Sequence, residues 1–265
     1  MTDTTHCDRI LDQFTRQAPA FSAAAMITDD SVLRMIVEQA GAGATDTVLD
    51  VACGPGIVVC AFAPQVRHAT GIDFTPAMLD RARILAAEKG LSNVSWDHGD
   101  AYNLPYPDAS FSIVVTRYSL HHLLDPLAAL REMVRVCAPG GRLVVVDAYA
   151  PEDPIKAAAF HRVEVLRDPS HARSLNLAEL RELFPRSGLP EPRLTLYELH
   201  VELEELLARA FPNPTDLDEI RATFTAAADD DRLGMPVGCN GDTIDIAYRA
   251  AILVAERPAR QINDL

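Results

Sequence analysis

The chain is poor in cysteine and has no long apolar run. Its five cysteines, Cys7, Cys53, Cys60, Cys137 and Cys239, form an odd, scattered set in 265 residues, with no C-x-x-C pair. That excludes a disulfide framework or a zinc ribbon and points to reduced thiols in a cytoplasmic protein. No apolar stretch approaches the roughly 18 residues that a membrane span requires. The opening MTDTTHCDRILDQF lacks a basic segment followed by an apolar one, so no secretory signal is expected. Cationic residues are also short: 24 Lys and Arg stand against 38 Asp and Glu, a formal charge of −14. The 24 are dispersed, so neither nucleic acid nor an anionic membrane is an expected partner. No His, Asp or Glu set has metal-ligand spacing, and no metal is expected. Oligomeric state leaves no signal.

What is present is alternation. Two helical patterns, Cys7–Arg16 and Asp30–Ala40, occupy an N-terminal segment, residues 1–40. Strand-like runs follow at Thr47–Val51, His68–Ile72, Val94–Asp97, Phe111–Thr116 and Arg142–Val146 within a core at 41–150. Helical patterns at Pro76–Lys89 and Asp125–Cys137 lie between them, the second expected to close at Pro139-Gly140-Gly141. Beyond 150, a capping-box spacing at Asn176–Glu179 opens another helix. Two strand-like runs, Arg193–Leu199 and Thr243–Val254, flank a mostly helical insertion at about 201–240. The pattern predicts one α/β domain with a doubly wound parallel sheet and a ligand at the carboxyl ends of its strands.

The stretch VLDVACGPG at 48–56 poses the functional question. A strand that stops at an acid and breaks into glycines binds a nucleotide, either a dinucleotide or S-adenosylmethionine. A dinucleotide loop wants G-x-G-x-x-G, and the third glycine is missing after Gly54 and Gly56. Asp50 at the strand tip would repel a pyrophosphate but accepts from an ammonium group. Asp73, about 20 residues on, is placed for ribose hydroxyls, and Asp100 after the third strand for an adenine amino group.

Taken together, VLDVACGPG, GIDFTPAML, GDAYNLPYPDASFSIVVTRYSLHHLLDP and REMVRVCAPGGRLVVVD resemble the class I S-adenosylmethionine-dependent methyltransferases. The likeness is to the small-molecule type similar to the ubiquinone and menaquinone biosynthesis enzymes. It is tight over Thr47–Asp147 and loose elsewhere. It implies a Rossmann-like, seven-stranded sheet with a final antiparallel strand, S-adenosyl-L-methionine as cofactor and S-adenosyl-L-homocysteine as product. By the same resemblance Asp50, Ala52, Gly54 and Gly56 line the methionine moiety, Ala52 replacing a usual glycine. Asp73 binds ribose with Phe74 and Met78 beside it, Asp100 and Ala101 hold adenine, and the backbone of Thr116 and Arg117 faces the sulfonium. A cofactor-binding protein that does not methylate, and an NAD-dependent oxidoreductase, are the competing readings.

On the acceptor side, Tyr118 leads into His121 and His122, either able to take a proton from an acceptor near neutral pH, with His122 preferred. A polar cluster, Asp168–Arg173, offers His171 and Arg173 for a small-molecule substrate. Phe14 and Phe21 are candidates for a segment closing over the cofactor. Leu203, Leu206, Leu207 and Phe211 form a stripe expected to be core.

Overall fold

The computed structural model describes residues 4–21, 29–241 and 243–259. Eight strands form one sheet. β1 (Thr47–Val51), β2 (His68–Asp73), β3 (Val94–His98), β4 (Phe111–Arg117) and β5 (Cys137–Ala148) run parallel to one another. β8 (Thr243–Glu256) lies antiparallel against β5, and β6 (Arg193–Glu202) antiparallel against β8. The path β3-β2-β1-β4-β5-β8-β6 is the expected seven-stranded, doubly wound sheet. A short β7 (Val237–Asn240) adds an eighth strand by pairing with β8. Those four residues fall where the pattern suggested helix. Four residues with only Val237 and Cys239 apolar are too short a signal, and their pairing with β8 makes them a strand.

The strands alternate in what they bury. Val48, Ile113, Val115, Val144 and Val146 face one side, and Leu49, Val114, Leu143 and Val145 the other. The first side is covered by α2 (Asp30–Gln39) and α3 (Ile57–Phe62), through Ile36, Val37, Val59 and Phe62. α4 (Pro76–Glu88) adds Leu79. The second side is covered by α5 (Pro126–Val136) and α7 (Leu177–Arg186), through Leu130, Met133 and Phe184. α7 is opened by the predicted capping box, Asn176 accepting from the Glu179 N–H while Glu179 accepts from the Asn176 N–H.

One predicted boundary fails. β5 starts at Cys137, directly after α5, rather than beyond Pro139-Gly140-Gly141. The segment looks like a turn, but Gly140 N–H donates to the Arg257 carbonyl and Arg257 N–H to that of Gly141, so the tail beyond β8 extends the sheet.

At the carboxyl ends of the strands a third cluster gathers. α6 (Pro154–Arg167), α8 (Leu203–Ala210) and α9 (Leu217–Asp229) pack on the far half of β8 through Phe160, Val163, Leu203, Leu206, Leu207 and Phe224. Leu203, Leu206 and Leu207 are core as expected, whereas Phe211 is 38% exposed. Finally α1 (Thr4–Phe21) lies across this end of the sheet, packed against α4 and α8. The Phe21 side chain lies outside the described residues. Among the described residues no helix is long and apolar enough to cross a membrane.

Candidate active site

The carboxyl ends of β1 to β4 open into a cavity of about 530 Å³, roofed by His6, Cys7, Ile10 and Phe14 of α1. Its floor is the glycine loop. Ala52 takes a left-handed backbone, φ 57°, where the resemblance expected glycine, and Gly54 and Gly56 follow at 53° and 79°. A side chain in that region is strained by about 1–2 kcal/mol, and Ala is the smallest that bears it.

Three acids meet at this cavity, each from a different strand end: Asp50, Asp73 and Asp100. They differ sharply in how their charge is held. Asp73 is tied on both oxygens, accepting from Gly54 N–H and from Thr75 N–H, each at 2.8 Å. Burial raises its pKa and those backbone donors pull it part of the way back. Asp100 accepts from Tyr102 N–H at 2.9 Å in its turn. Asp50 is 1% exposed, and neither carboxylate oxygen has a hydrogen-bond partner. Burial first, then the Asp73 charge, push its acid well above the ordinary range, with Arg117 acting the other way. A buried carboxylate with both oxygens unbonded is a large penalty in the empty protein. Such a group is relieved by a cation entering the cavity.

Phe74, Met78, Ala101, Arg117 and Tyr118 also line this cavity. Arg117 lays its guanidinium 4.5 Å from the centre of the Tyr118 ring. Two predicted residues do not reach the wall. Gly56 is the left-handed cap of α3, packed behind the loop, where a Cβ would meet Trp96 at 2.4 Å. Thr116 turns inward and donates its hydroxyl to the Val51 carbonyl at 2.7 Å.

A second cavity, about 100 Å³, adjoins the first and shares Phe14, Tyr118 and His122 with it. His121 and His171 line it, together with Glu164 and Arg167 of α6 and Leu206, Arg209 and Ala210 of α8. The 168–173 loop is drawn onto the histidine turn because Ala172 and Arg173 N–H both donate to the His121 carbonyl. α1 is fastened over both cavities by buried polar contacts. His6 Nε2 bonds the His122 carbonyl at 2.7 Å, Gln13 donates to the Ala210 carbonyl, and Gln17 donates to Asp168 at 3.2 Å. The Phe14 ring stands edge-on to His122 at 4.8 Å.

The two predicted histidines differ in kind. His121 Nδ1 sits 2.6 Å from Asp147 Oδ1, at the end of β5. Burial works against its charge, but Asp147 outweighs this and holds its pKa above the ordinary value. His122 Nδ1 lies 3.2 Å from the Ser170 carbonyl, and burial followed by the His121 charge depress it to about 4. His122 is thus a neutral imidazole at pH 7, and His121 is the stronger base. Arg173, expected at the substrate, is instead exposed and ion-paired with Glu179, the capping acid of α7, and stays outside both cavities. Among the described residues no group of three His, Cys, Asp or Glu has metal-holding geometry.

Residues 49–145 match the model of a methyltransferase domain. The chain is 33% identical over 248 residues to the uncharacterized methyltransferase YcgJ of Bacillus subtilis, covering 90% of this chain and 98% of that one. The chain belongs to the methyltransferase family. The crystal structure of YcgJ superposes with a TM-score of 0.80 at 31% identity, over 86% of this methyltransferase and 98% of that chain. A demethylmenaquinone methyltransferase of Deinococcus radiodurans is 45% identical over 116 residues, but these are 43% of this chain and 47% of that enzyme. The walls of the second cavity formed by α6 and α8 lie beyond the matched domain, residues 49–145.

Proposed function

We propose that this methyltransferase uses S-adenosyl-L-methionine, released as S-adenosyl-L-homocysteine, and hands the methyl in line to a small-molecule acceptor. The observation that carries the reading is Asp50, a buried carboxylate with no partner of its own on the wall of a ligand-sized cavity. An ammonium group supplies both the charge and the donors that Asp50 lacks, whereas a pyrophosphate would add a third negative charge beside Asp50 and Asp73. When bound, the cofactor supplies an electrophilic methyl on a sulfonium. The chain's residues do the rest. Asp50 anchors the amino-acid end, and Asp73, stiffened by Gly54 and Thr75, holds ribose hydroxyls. Phe74 and Met78 pack the nucleoside, with Asp100 and Ala101 at the adenine. α1 covers the cavity and keeps water from the transfer. The scattered cationic residues and free thiols fit a small acceptor in a reducing cytoplasm rather than a nucleic acid.

Titration calorimetry with S-adenosylhomocysteine tests the reading, and its pH dependence is specific. Ligand binding demands ionised Asp50, whose pKa in the free protein is raised. Affinity therefore climbs as pH rises through that value, with a proton released to buffer on the acid side. It declines again only once the ligand's own amino group deprotonates, which for an amino acid with a free carboxylate lies well above the roughly 7.7–8.0 of a peptide N-terminus. An affinity that stays flat across this range, or tighter binding of NADH, defeats the proposal.

A further inference from the structure

Resting on the preceding reading, we infer that the second cavity seats the acceptor, that the acceptor is a compound with two neighbouring hydroxyls and no cationic group, and that His121, oriented by Asp147, takes the proton of the hydroxyl being methylated. The place follows from the walls. Tyr118, His122 and Phe14 belong to both cavities, so a molecule in the smaller one lies against whatever fills the larger one.

The chemical class follows from which polar atoms remain open. Glu164 accepts from Tyr248 on one oxygen and from Arg167 on the other. Asp168 is taken by Ser170 and Gln17. With both carboxylates engaged, the cavity offers an ammonium nothing like the open carboxylate that Asp50 presents next door. What stays unbonded is imidazole. His171 is 5% exposed, and its Nδ1 has no partner. Its ring lies 5.4 Å from that of His121, close enough for one ligand with adjacent oxygens to reach both. Burial first, then the nearby His121, hold His171 far below its ordinary range, so it meets the ligand uncharged. A hydroxyl suits a neutral ring nitrogen in either tautomer, as donor or as acceptor.

The catalytic geometry follows from His121. Nδ1 is committed to Asp147, which leaves Nε2 as the nitrogen turned away from that acid. Asp147 is itself fixed, accepting from Leu120 N–H at 3.0 Å and Ala148 N–H at 2.8 Å. As the acceptor oxygen forms its bond to the methyl carbon, the methyl–sulfur bond breaks with its electron pair kept by sulfur. The hydroxyl proton passes to Nε2, and Asp147 offsets the imidazolium that results. Asp147 is a positioning residue, acting through His121. The other charges around His121 are Glu164 and Arg167 of α6, with His122 and His171 against its ring.

Two matched vicinal diols, catechol and cis-1,2-cyclohexanediol, are supplied with S-adenosylmethionine to the full-length protein, with cyclohexylamine as the charged alternative. Release of S-adenosylhomocysteine is followed from pH 5 to 9. At least one diol turns over and the amine does not; which diol is used tells an aromatic from a saturated acceptor. The rate rises with pH along an acid limb set by His121. Asp147→Asn lowers the plateau by about 100-fold or more and moves that limb to lower pH, because the acid that raises the His121 pKa is gone. His121→Asn, which leaves the backbone bonds of Asp147 in place, loses the limb altogether. Both variants keep S-adenosylhomocysteine affinity within about twofold by calorimetry. Methylation of the amine in preference, no turnover of either diol, or a slower Asp147→Asn with an unmoved limb overturns the inference. Failure of the wild type to bind S-adenosylhomocysteine would instead remove the cofactor reading beneath it.

Discussion

Asp50→Asn will raise the melting temperature of the ligand-free protein while weakening S-adenosylhomocysteine binding by about a hundredfold or more. Both effects come from one buried charge. In the free protein the ionised carboxylate has no hydrogen-bond partner and lies close to Asp73. Its folded pKa is above the unfolded value. The stability it contributes is therefore intact below the unfolded pKa of about 4 and is lost as pH rises through the folded one. At neutral pH the wild type carries that loss and the amide does not. The melting difference should thus open as pH rises above the unfolded value of about 4 and close again in acid, which a series of calorimetric scans checks. Toward ligand the order reverses. An amide cannot neutralise an ammonium, and losing one partner of a buried charge pair is worth about 3–5 kcal/mol, or at least two decades of affinity. A variant less stable than wild type at pH 7 would show that Asp50 is held by something other than the ligand.

Gly56→Ala will lower stability by about 3 kcal/mol, roughly 6–12 °C in melting temperature for a chain of this size. Two penalties act together at this position. Its φ of 79° is left-handed, which strains any residue with a Cβ. The added carbon would also lie 2.4 Å from the Trp96 ring and 2.8 Å from Ala82 Cβ, in the seam between α3, α4 and β3. Gly54 is as left-handed but has nothing within 4 Å of its Cβ position, so Gly54→Ala should suffer only the first penalty. Thermal melts of the two variants side by side separate backbone strain from crowding. Equal losses would contradict the packing described here.

How much of this was legible in the sequence depended on distance along the chain. Alternating apolar strands, proline-led helices and the glycine loop are local, and their places were readable to within a few residues. So were Asp50 and Asp73, because an acid ending an apolar strand needs no partner to be recognised, and Asp100, one glycine beyond β3. Asp147 carries the same signal, closing the run Leu143–Val146, but nothing local tells an acid that holds a distant side chain from one that merely ends a strand. Its pairing with His121 across 26 residues is set by β4 and β5 lying side by side. The preference for His122 over His121 had no such information behind it. Arg173 is turned outward for a like reason: its partner, Glu179, belongs to a cap six residues on, and nothing at 168–173 signals it. Gly56 and the Thr116 side chain sit in the right motifs, but in the fold they face packing. The second cavity was legible only in part, through Tyr118, His121, His122 and His171. The rest of its walls come largely from α1, α6, α8 and β8, elements that share no motif and meet only in three dimensions.

Trp96 is the chain's sole tryptophan, and its indole edge fills the gap behind the glycine loop, between Gly56 and Gly71. Anything that stiffens or shifts the loop alters the surroundings of a single fluorophore. The molecule therefore carries its own optical gauge of occupancy, readable by emission without a dye or a label.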